Sequence, residues 1–583
     1  MKKLLIYLKD YKKETVLAPL FKMLEASFEL FVPLVMAAII DTGIAQGDKR
    51  YIVRMCLIMV ALGVIGLICS VTAQYYSAKA AVGFSAGLKH ELFKHIQRLS
   101  FTEMDEIGTS TLITRMTNDV NQVQSGVNLI LRLFLRSPFI VFGAMVMAFT
   151  IDGKAAMIFV VTILLLSVVV FGIMFISMPL YKKVQAGLDR ILGITRENLT
   201  GVRVIRAFNK EAAEIERFKG ENEELARMQQ FVGKISALMN PVTYVIINGA
   251  LIVLIWTGAL RVDGGYITQG AVVALVNYMS QILVELIKLA NLIITVTKAF
   301  ASANRIAVVF EMKPSLVSPE EGNTAPWGHG DGDEDEDIAV SFEHVHLTYK
   351  NAGAEALTDI DFKVKKGQTV GIIGGTGSGK SSLVNMIPRF YDVTGGCVRI
   401  NGVDVRDYSL DELRSKIGIV MQKAVLFKGT IRENLRWGKE NASEEEMRRA
   451  LEIAQAKEFV EEKTGGLDAR VSQEGKNYSG GQKQRLTIAR ALVRKPEILI
   501  LDDSASALDY ATDARLRQEI RNMEGNMTVF IVSQRAASIR HADFIVVMED
   551  GEVAGIGTHE QLVNSCNVYK EIYASQFKKE ERA

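Results

Sequence analysis

The sequence predicts a multidomain chain: an all-α membrane domain of six helices, followed by an α/β domain. Three observations predict it. Apolar runs long enough to cross a bilayer crowd the stretch up to about residue 300. After that point, short β-type runs alternate with helical patterns, as in a sheet flanked by helices. Within this second part, Gly371-Ile372-Ile373 leads from an apolar strand into Gly374-Gly375-Thr376-Gly377-Ser378-Gly379-Lys380-Ser381.

A bilayer core of about 30 Å takes roughly 20 mostly apolar residues as helix. Six stretches meet that criterion: 16–40, 52–76, 127–151, 155–180, 238–260 and 269–296. The first does not end in a small-residue cleavage site, so it is expected to be a true span rather than a removable signal. Long polar stretches separate the second span from the third and the fourth from the fifth. Both read as helical and carry many Lys and Arg, as does the N-terminus with Lys2, Lys3, Lys9, Lys12 and Lys13. Basic residues mark cytoplasmic segments, so the N-terminus, both long loops and the C-terminal half are expected in the cytoplasm.

Residues 313–337 read as a linker. They hold Pro314, Pro319, Pro326 and the acidic run Asp333-Glu334-Asp335-Glu336-Asp337, which reads as a solvated, self-repelling tether rather than a cation site. The expected division is therefore a membrane domain at 1–312, the linker, and a nucleotide-binding domain at 338–583. A net charge of +2 gives no electrostatic case for nucleic acid, and none is expected as a partner. Cys56, Cys69, Cys397 and Cys566 are scattered, without the spacing of a zinc site or a disulfide framework.

Residues 374–381 match the phosphate-binding loop G-x-x-x-x-G-K-[ST] in full, directly after a strand. Its glycines let backbone N–H groups face phosphate oxygens, Lys380 adds charge, and the Ser381 hydroxyl is placed for Mg²⁺, with Ser382 beside it. Ile498-Leu499-Ile500-Leu501 is an apolar strand ending in Asp502, the expected carboxylate partner toward the metal. Tyr349 follows an alternating run and reads equally as a base-stacking ring or as a half-buried strand aromatic.

Ser479-Gly480-Gly481-Gln482, with Lys483-Gln484-Arg485 and Ala489-Arg490-Ala491-Leu492 after it, resembles the signature of ABC ATPases. Other segments resemble the family in order: Gln422 the Q-loop, Glu474-Gly475 before the signature, and Ser506-Ala507-Leu508-Asp509 the D-loop. Gly108, the run Arg115-Met116-Thr117-Asn118-Asp119-Val120 and residues 197–208 resemble the intracellular loops of type IV exporters. The resemblance implies a half-transporter that binds ATP and Mg²⁺. Tyr349 would stack on adenine. Ser381, Gln422 and Asp502 would hold the metal directly or through water. Ser479, Gly480, Gly481 and Gln482 would close on ATP held by another subunit. The long loops would dock on nucleotide domains near 108–113 and 202–208.

Two positions depart from that pattern. Asp503 stands where the family places a glutamate, and Gln534 where it places a histidine. Aspartate is one methylene shorter, and glutamine cannot carry a positive charge or shuttle a proton. Both touch γ-phosphate chemistry while the two binding motifs are intact. The pattern resembles the slow-site subunit of a heterodimeric bacterial exporter of amphipathic compounds in the cytoplasmic membrane, whose partner would supply glutamate and histidine. The alternatives are a regulatory ATP-sensing subunit or ATP-gated channel, and a homodimeric lipid or peptide exporter or siderophore importer. Within the spans, Glu25, Glu29, Asn277, Gln281 and Glu285, with Arg132, Arg136 and Lys288, read either as a substrate path or as structural pairs.

Overall fold

The computed structural model describes residues 4–318, 337–523 and 525–577. Most of the acidic linker, residues 319–336, therefore lies outside the described residues. The described chain forms two compact units, and the first is Met1–Gln97 with Thr109–Met312.

The first unit contains six helical segments long and apolar enough to cross a membrane: Leu4–Ile44, Lys49–Ile96, Thr109–Ile151, Gly153–Thr200, Glu211–Asp263 and Gln269–Glu311. All six expected spans lie inside them. The helices are much longer than their apolar runs. At about 1.5 Å per residue the second, with 48 residues, extends roughly 72 Å, more than twice the roughly 30 Å of a bilayer core. The polar stretches between spans are thus continuations of the same helices. Small and branched side chains fill the interior, among them Ala144, Ala148, Ala155, Phe159, Leu254 and Ala274, as expected where helices must approach closely without a hydrophobic drive from water. Along the second helix Val53, Leu57, Val60, Val64, Leu67 and Val71 stay exposed, an apolar face suited to lipid. At the helix ends Asp152 accepts from Ala155 N–H at 2.8 Å and pairs with Arg261, while Asp41 accepts from Gly270 N–H at 2.7 Å. Asp119, buried, accepts from Arg115 and Arg305 and ties the third segment to the sixth.

The second unit is Arg98–Gly108 with Lys313–Ala583. Its centre is a six-stranded sheet of order β12-β11-β3-β10-β9-β6, formed by β3 (Thr369–Gly374), β6 (Ile417–Val420), β9 (Ile498–Asp502), β10 (Thr528–Val532), β11 (Phe544–Glu549) and β12 (Glu552–Gly557). All neighbours are parallel except β12, which runs antiparallel to β11. Parallel strands are buried on both faces, and their side chains alternate between two cores. Ile498, Ile500, Phe530 and Val532 enter one core, while Leu499, Leu501, Val529 and Ile531 enter the other. An antiparallel sheet of order β2-β1-β4-β5 covers one side, from β1 (Ile338–Leu347), β2 (Leu357–Lys365), β4 (Gly395–Ile400) and β5 (Val403–Asp404).

The first long loop reaches this unit through the helix Phe101–Ile107. Phe101 packs 4.7 Å from the Phe390 ring, Asp105 accepts from the Tyr391 hydroxyl at 2.7 Å, and Glu106 pairs with Lys350 at 2.7 Å. The segment packed here, 101–107, directly precedes the 108–113 expected to dock. Gly108, at φ +78°, ends it, and the chain then rejoins the first unit. The helix Val202–Ala207 of the second loop has no buried residue. The start of the linker is anchored: Leu316 N–H donates to Ser100 Oγ at 3.1 Å, and Leu410 N–H to Ser318 Oγ at 3.0 Å.

Candidate functional site

The carboxyl ends of the parallel strands are where ligands bind in open α/β sheets. Here they gather the residues singled out above into a cleft of about 520 Å³. The turn after β3 carries the phosphate loop, β6 leads to Gln422, β9 ends in Asp502 and Asp503, and β10 leads to Ser533 and Gln534. Thr376, Gly377, Gly379, Lys380, Ser381, Ser382 and Tyr349 line the same cleft.

The loop needs its glycines. A Cβ on Gly374 would sit 2.1 Å from Met548 O, and Gly377 and Gly379 hold φ of +86° and +90°. The helix Lys380–Met386 starts there. Lys380 is buried, and its Nζ donates to Gly374 O at 2.9 Å, to Gly375 O at 2.5 Å and to Ser378 Oγ at 3.2 Å. Burial lowers its pKa against the opposing pull of Asp503 and Asp502. Burial also raises the Asp502 carboxyl, partly offset by the Ser381 hydroxyl, which donates to Oδ1 at 3.1 Å. A cation in dry surroundings next to two carboxylates is a site suited to a ligand of mixed charge.

Asp503 sits in the left-handed region at φ 45°, ψ 30°. Its N–H donates to Val532 O at 3.0 Å, and its carbonyl accepts from Ser506 Oγ at 2.8 Å. Gln422 Nε2 donates to its carboxylate at 3.3 Å. Both departures from the family pattern therefore face one space. Tyr349 is half-buried and lines the cleft; its hydroxyl donates to Ser382 Oγ at 2.9 Å, and its ring stands edge-on to Tyr391 at 5.1 Å. Four cleft residues escaped sequence reading, Glu355, Ala356, Asp550 and Gly551. The Asp-Gly pair is a legible turn signal between two strands, but nothing local says that the turn faces phosphate-loop residues.

The signature lies elsewhere. None of residues 479–482 lines the cleft. Ser479 caps the helix Gly480–Val493: its hydroxyl accepts from Gln482 N–H at 3.3 Å, and its own N–H donates to Gln482 Oε1 at 3.1 Å. That reciprocal box leaves other first-turn N–H groups free at an exposed helix N-terminus, a good anion site. Gly481 is needed because a Cβ there would approach Ala507 O to 3.0 Å. Gly481 thus lies against Ala507 and Leu508 of the stretch Ser506-Ala507-Leu508-Asp509 that resembles the D-loop, whose Asp509 caps the helix Tyr510–Arg521 through Thr512 N–H at 2.8 Å.

In the first unit, three of the five expected substrate-path residues come together around Arg136. Its guanidinium donates to Glu285 at 2.6 Å and Glu29 at 2.7 Å, with Glu25 3.9 Å away. Lys22 donates to Glu25 at 2.5 Å and Lys288 to Glu285 at 2.7 Å. Asn277 instead donates to Val273 O of its own helix, and Gln281 Oε1 is buried without a partner. Lys22 was not singled out from sequence, although its place three residues before Glu25 was a usable signal.

Two family models match the chain: "ABC transporter transmembrane region" over residues 15–286 and "ABC transporter" over residues 357–506. The chain belongs to the ABC transporter family. It is 36% identical over 575 residues to the ABC transporter ATP-binding protein Rv1273c of Mycobacterium tuberculosis, covering 98% of this chain and 97% of that one. It is 32% identical to the putative multidrug export ATP-binding/permease protein YgaD of Bacillus subtilis, over 99% of both chains. It is also 32% identical to the ATP-dependent lipid A-core flippase of Desulfotalea psychrophila, over 83% of each chain. A bacterial Atm1-family ABC exporter with ATP bound superposes with a TM-score of 0.80 over 97% of this chain and 99% of that one; at 22% identity this speaks for the fold alone. This ABC transporter is thus a multi-pass membrane protein that carries an ABC-type ATPase domain.

Proposed function

We propose that this transporter exports amphipathic compounds across the bacterial cytoplasmic membrane as one half of a heterodimer, with ATP at its own phosphate loop turned over slowly. The observation that carries this is Asp503 and Gln534 lining the cleft that holds an intact phosphate loop. Asp503 is pinned by hydrogen bonds on both sides of its backbone, so the chain cannot advance to offset a carboxylate one methylene short. Positioning supplies most of the catalysis in phosphoryl transfer, and a misplacement of about 1 Å can cost ~100-fold.

The residues present fit ATP and Mg²⁺. Ser381, Asp502 and Gln422 offer the oxygen donors a hard cation takes. Lys380 and the loop N–H groups of residues 374–379 would hold the phosphates, with Ser382 beside them, and Tyr349 would offer a ring to the base. Bound Mg²⁺ would neutralise phosphate charge. Asp503 and Gln422, already hydrogen-bonded to each other, would orient water, and Gln534 would donate to the γ-phosphate. Ser479, Gly480, Gly481 and Gln482 would complete a partner's site, with the D-loop between the two. Residues 1–312 would act as the membrane domain, 313–337 as the tether and 338–583 as the ATPase domain. Exposed Val204 and Phe208 in the second loop suit docking on a second chain. Similarity to a multidrug export protein and to a lipid A-core flippase supports amphipathic cargo, drug-like or lipid.

Purification of the tagged chain from its native membrane tests the assembly. The expected result is a second half-transporter carrying Glu and His at the positions of Asp503 and Gln534, and ATPase activity that needs it. Robust turnover by the chain alone would overturn the reading.

A further inference from the structure

The helix Asn567–Phe577 is the last described element, and one of its side chains reaches the rim of the ATP cleft. Gln576 Nε2 donates to the carbonyl of Gln534 at 2.7 Å, and its Oε1 accepts from Ala536 N–H at 2.8 Å. One amide thus spans the peptide segment that presents Gln534. The rest of the segment has its own hydrogen bonds. Ser533 N–H donates to Ile372 O at 3.0 Å, Arg535 N–H to Ser533 Oγ at 2.9 Å, and the Arg535 guanidinium reaches the carbonyls of Ala505 and Leu508 at 3.4 Å. The helix carrying Gln576 is anchored independently: Tyr569 is fully buried and donates or accepts at His559 Nδ1 at 2.7 Å, and Ile572 packs on the core.

We propose that Gln576 is a positioning residue for Gln534, fixing the backbone from which that side chain reaches the γ-phosphate. This rests on the proposed role of Gln534 and not on whether the assembly is hetero- or homodimeric. Only an amide fits: the carbonyl of Gln534 needs a donor and the N–H of Ala536 needs an acceptor, and a carboxylate would set lone pairs against the carbonyl. The effect should be confined to ligands with a γ-phosphate.

The test measures binding of MgATP and MgADP to the full-length, reconstituted assembly carrying Gln576→Met, Gln576→Glu, Gln534→Ala or Gln576→Met with Gln534→Ala. MgADP reports folding and the phosphate loop. Loss of one hydrogen bond to a charged acceptor corresponds to roughly 10–150-fold, so Gln534→Ala should weaken MgATP by about that factor, Gln576→Met and Gln576→Glu by part of it, and all should leave MgADP unchanged. The double variant should lose no more than Gln534→Ala alone, because the residues act through one contact. Gln576→Asn, one methylene shorter, should recover the loss only in part. Equal weakening of MgATP and MgADP would show a merely structural helix. Multiplied losses in the double variant, or no change with Gln534→Ala, would equally overturn the proposal. Steady-state turnover of the wild type, which bears on the slow-site reading, is a separate readout.

Discussion

At the residue scale, the proposed reading puts recognition of the base and chemistry at the γ-phosphate on different side chains. Tyr349 offers a ring face, and base–aromatic stacking is worth about 1–3 kcal/mol, so Tyr349→Ala should weaken nucleotide binding by roughly 5–150-fold while Tyr349→Trp retains it. Because a π-face is common to every base, ATP and GTP should lose affinity alike, as titration with fluorescent analogues would show. Asp503 and Gln534 would act at the γ-phosphate instead. Asp503→Glu with Gln534→His should raise ATP hydrolysis by about tenfold or more with little change in KM, since the groups act at the reacting phosphate rather than on base or ribose. The phosphate loop, the β9 carboxylate and both departures were legible in the sequence because each is local to one strand end. Gln576, Glu355 and the Asp550–Gly551 turn were not: topology brings them to the cleft from distant chain positions, and no spacing encodes that.

At the scale of elements, the helix Phe101–Ile107 joins the first long loop to the ATPase unit through rings that run on to Tyr349. Phe101 meets Phe390 and Tyr391, and Tyr391 meets Tyr349. Burial and the nearby Asp105 carboxylate both push the Tyr391 hydroxyl pKa upward, so it stays a donor to Asp105 across the working pH range. Phe101→Ala should cut dye transport into inverted vesicles several-fold while changing ATPase activity less, because aromatic pairs contribute about 0.5–1.5 kcal/mol each to docking. Among the spans, Arg136 joins carboxylates from the first and sixth segments. Arg136→Leu removes the cation shared by Glu29, Glu25 and Glu285, of which Glu25 keeps Lys22 and Glu285 keeps Lys288, and should cost about 1–3 kcal/mol, read as loss of monodisperse protein on heating in detergent. The spans themselves were legible because a bilayer demands apolar length. How far each helix continues was not, since polar residues beyond the membrane sustain a helix as readily as a loop, and neither was the packing of 101–107, directly before the segment expected to dock.

At the scale of the whole molecule, the phosphate loop and the signature share a chain but not a cleft. On the proposed reading, the signature exposed at a helix N-terminus closes on ATP held by a second chain. The central claim is that the two ATP molecules of the assembly have different fates. A photo-crosslinkable ATP analogue, added at one equivalent per site to the reconstituted pair and fixed after a single turnover, measures this directly. Triphosphate is expected on this chain and diphosphate on its partner. Diphosphate appearing on both chains at the same rate would contradict it.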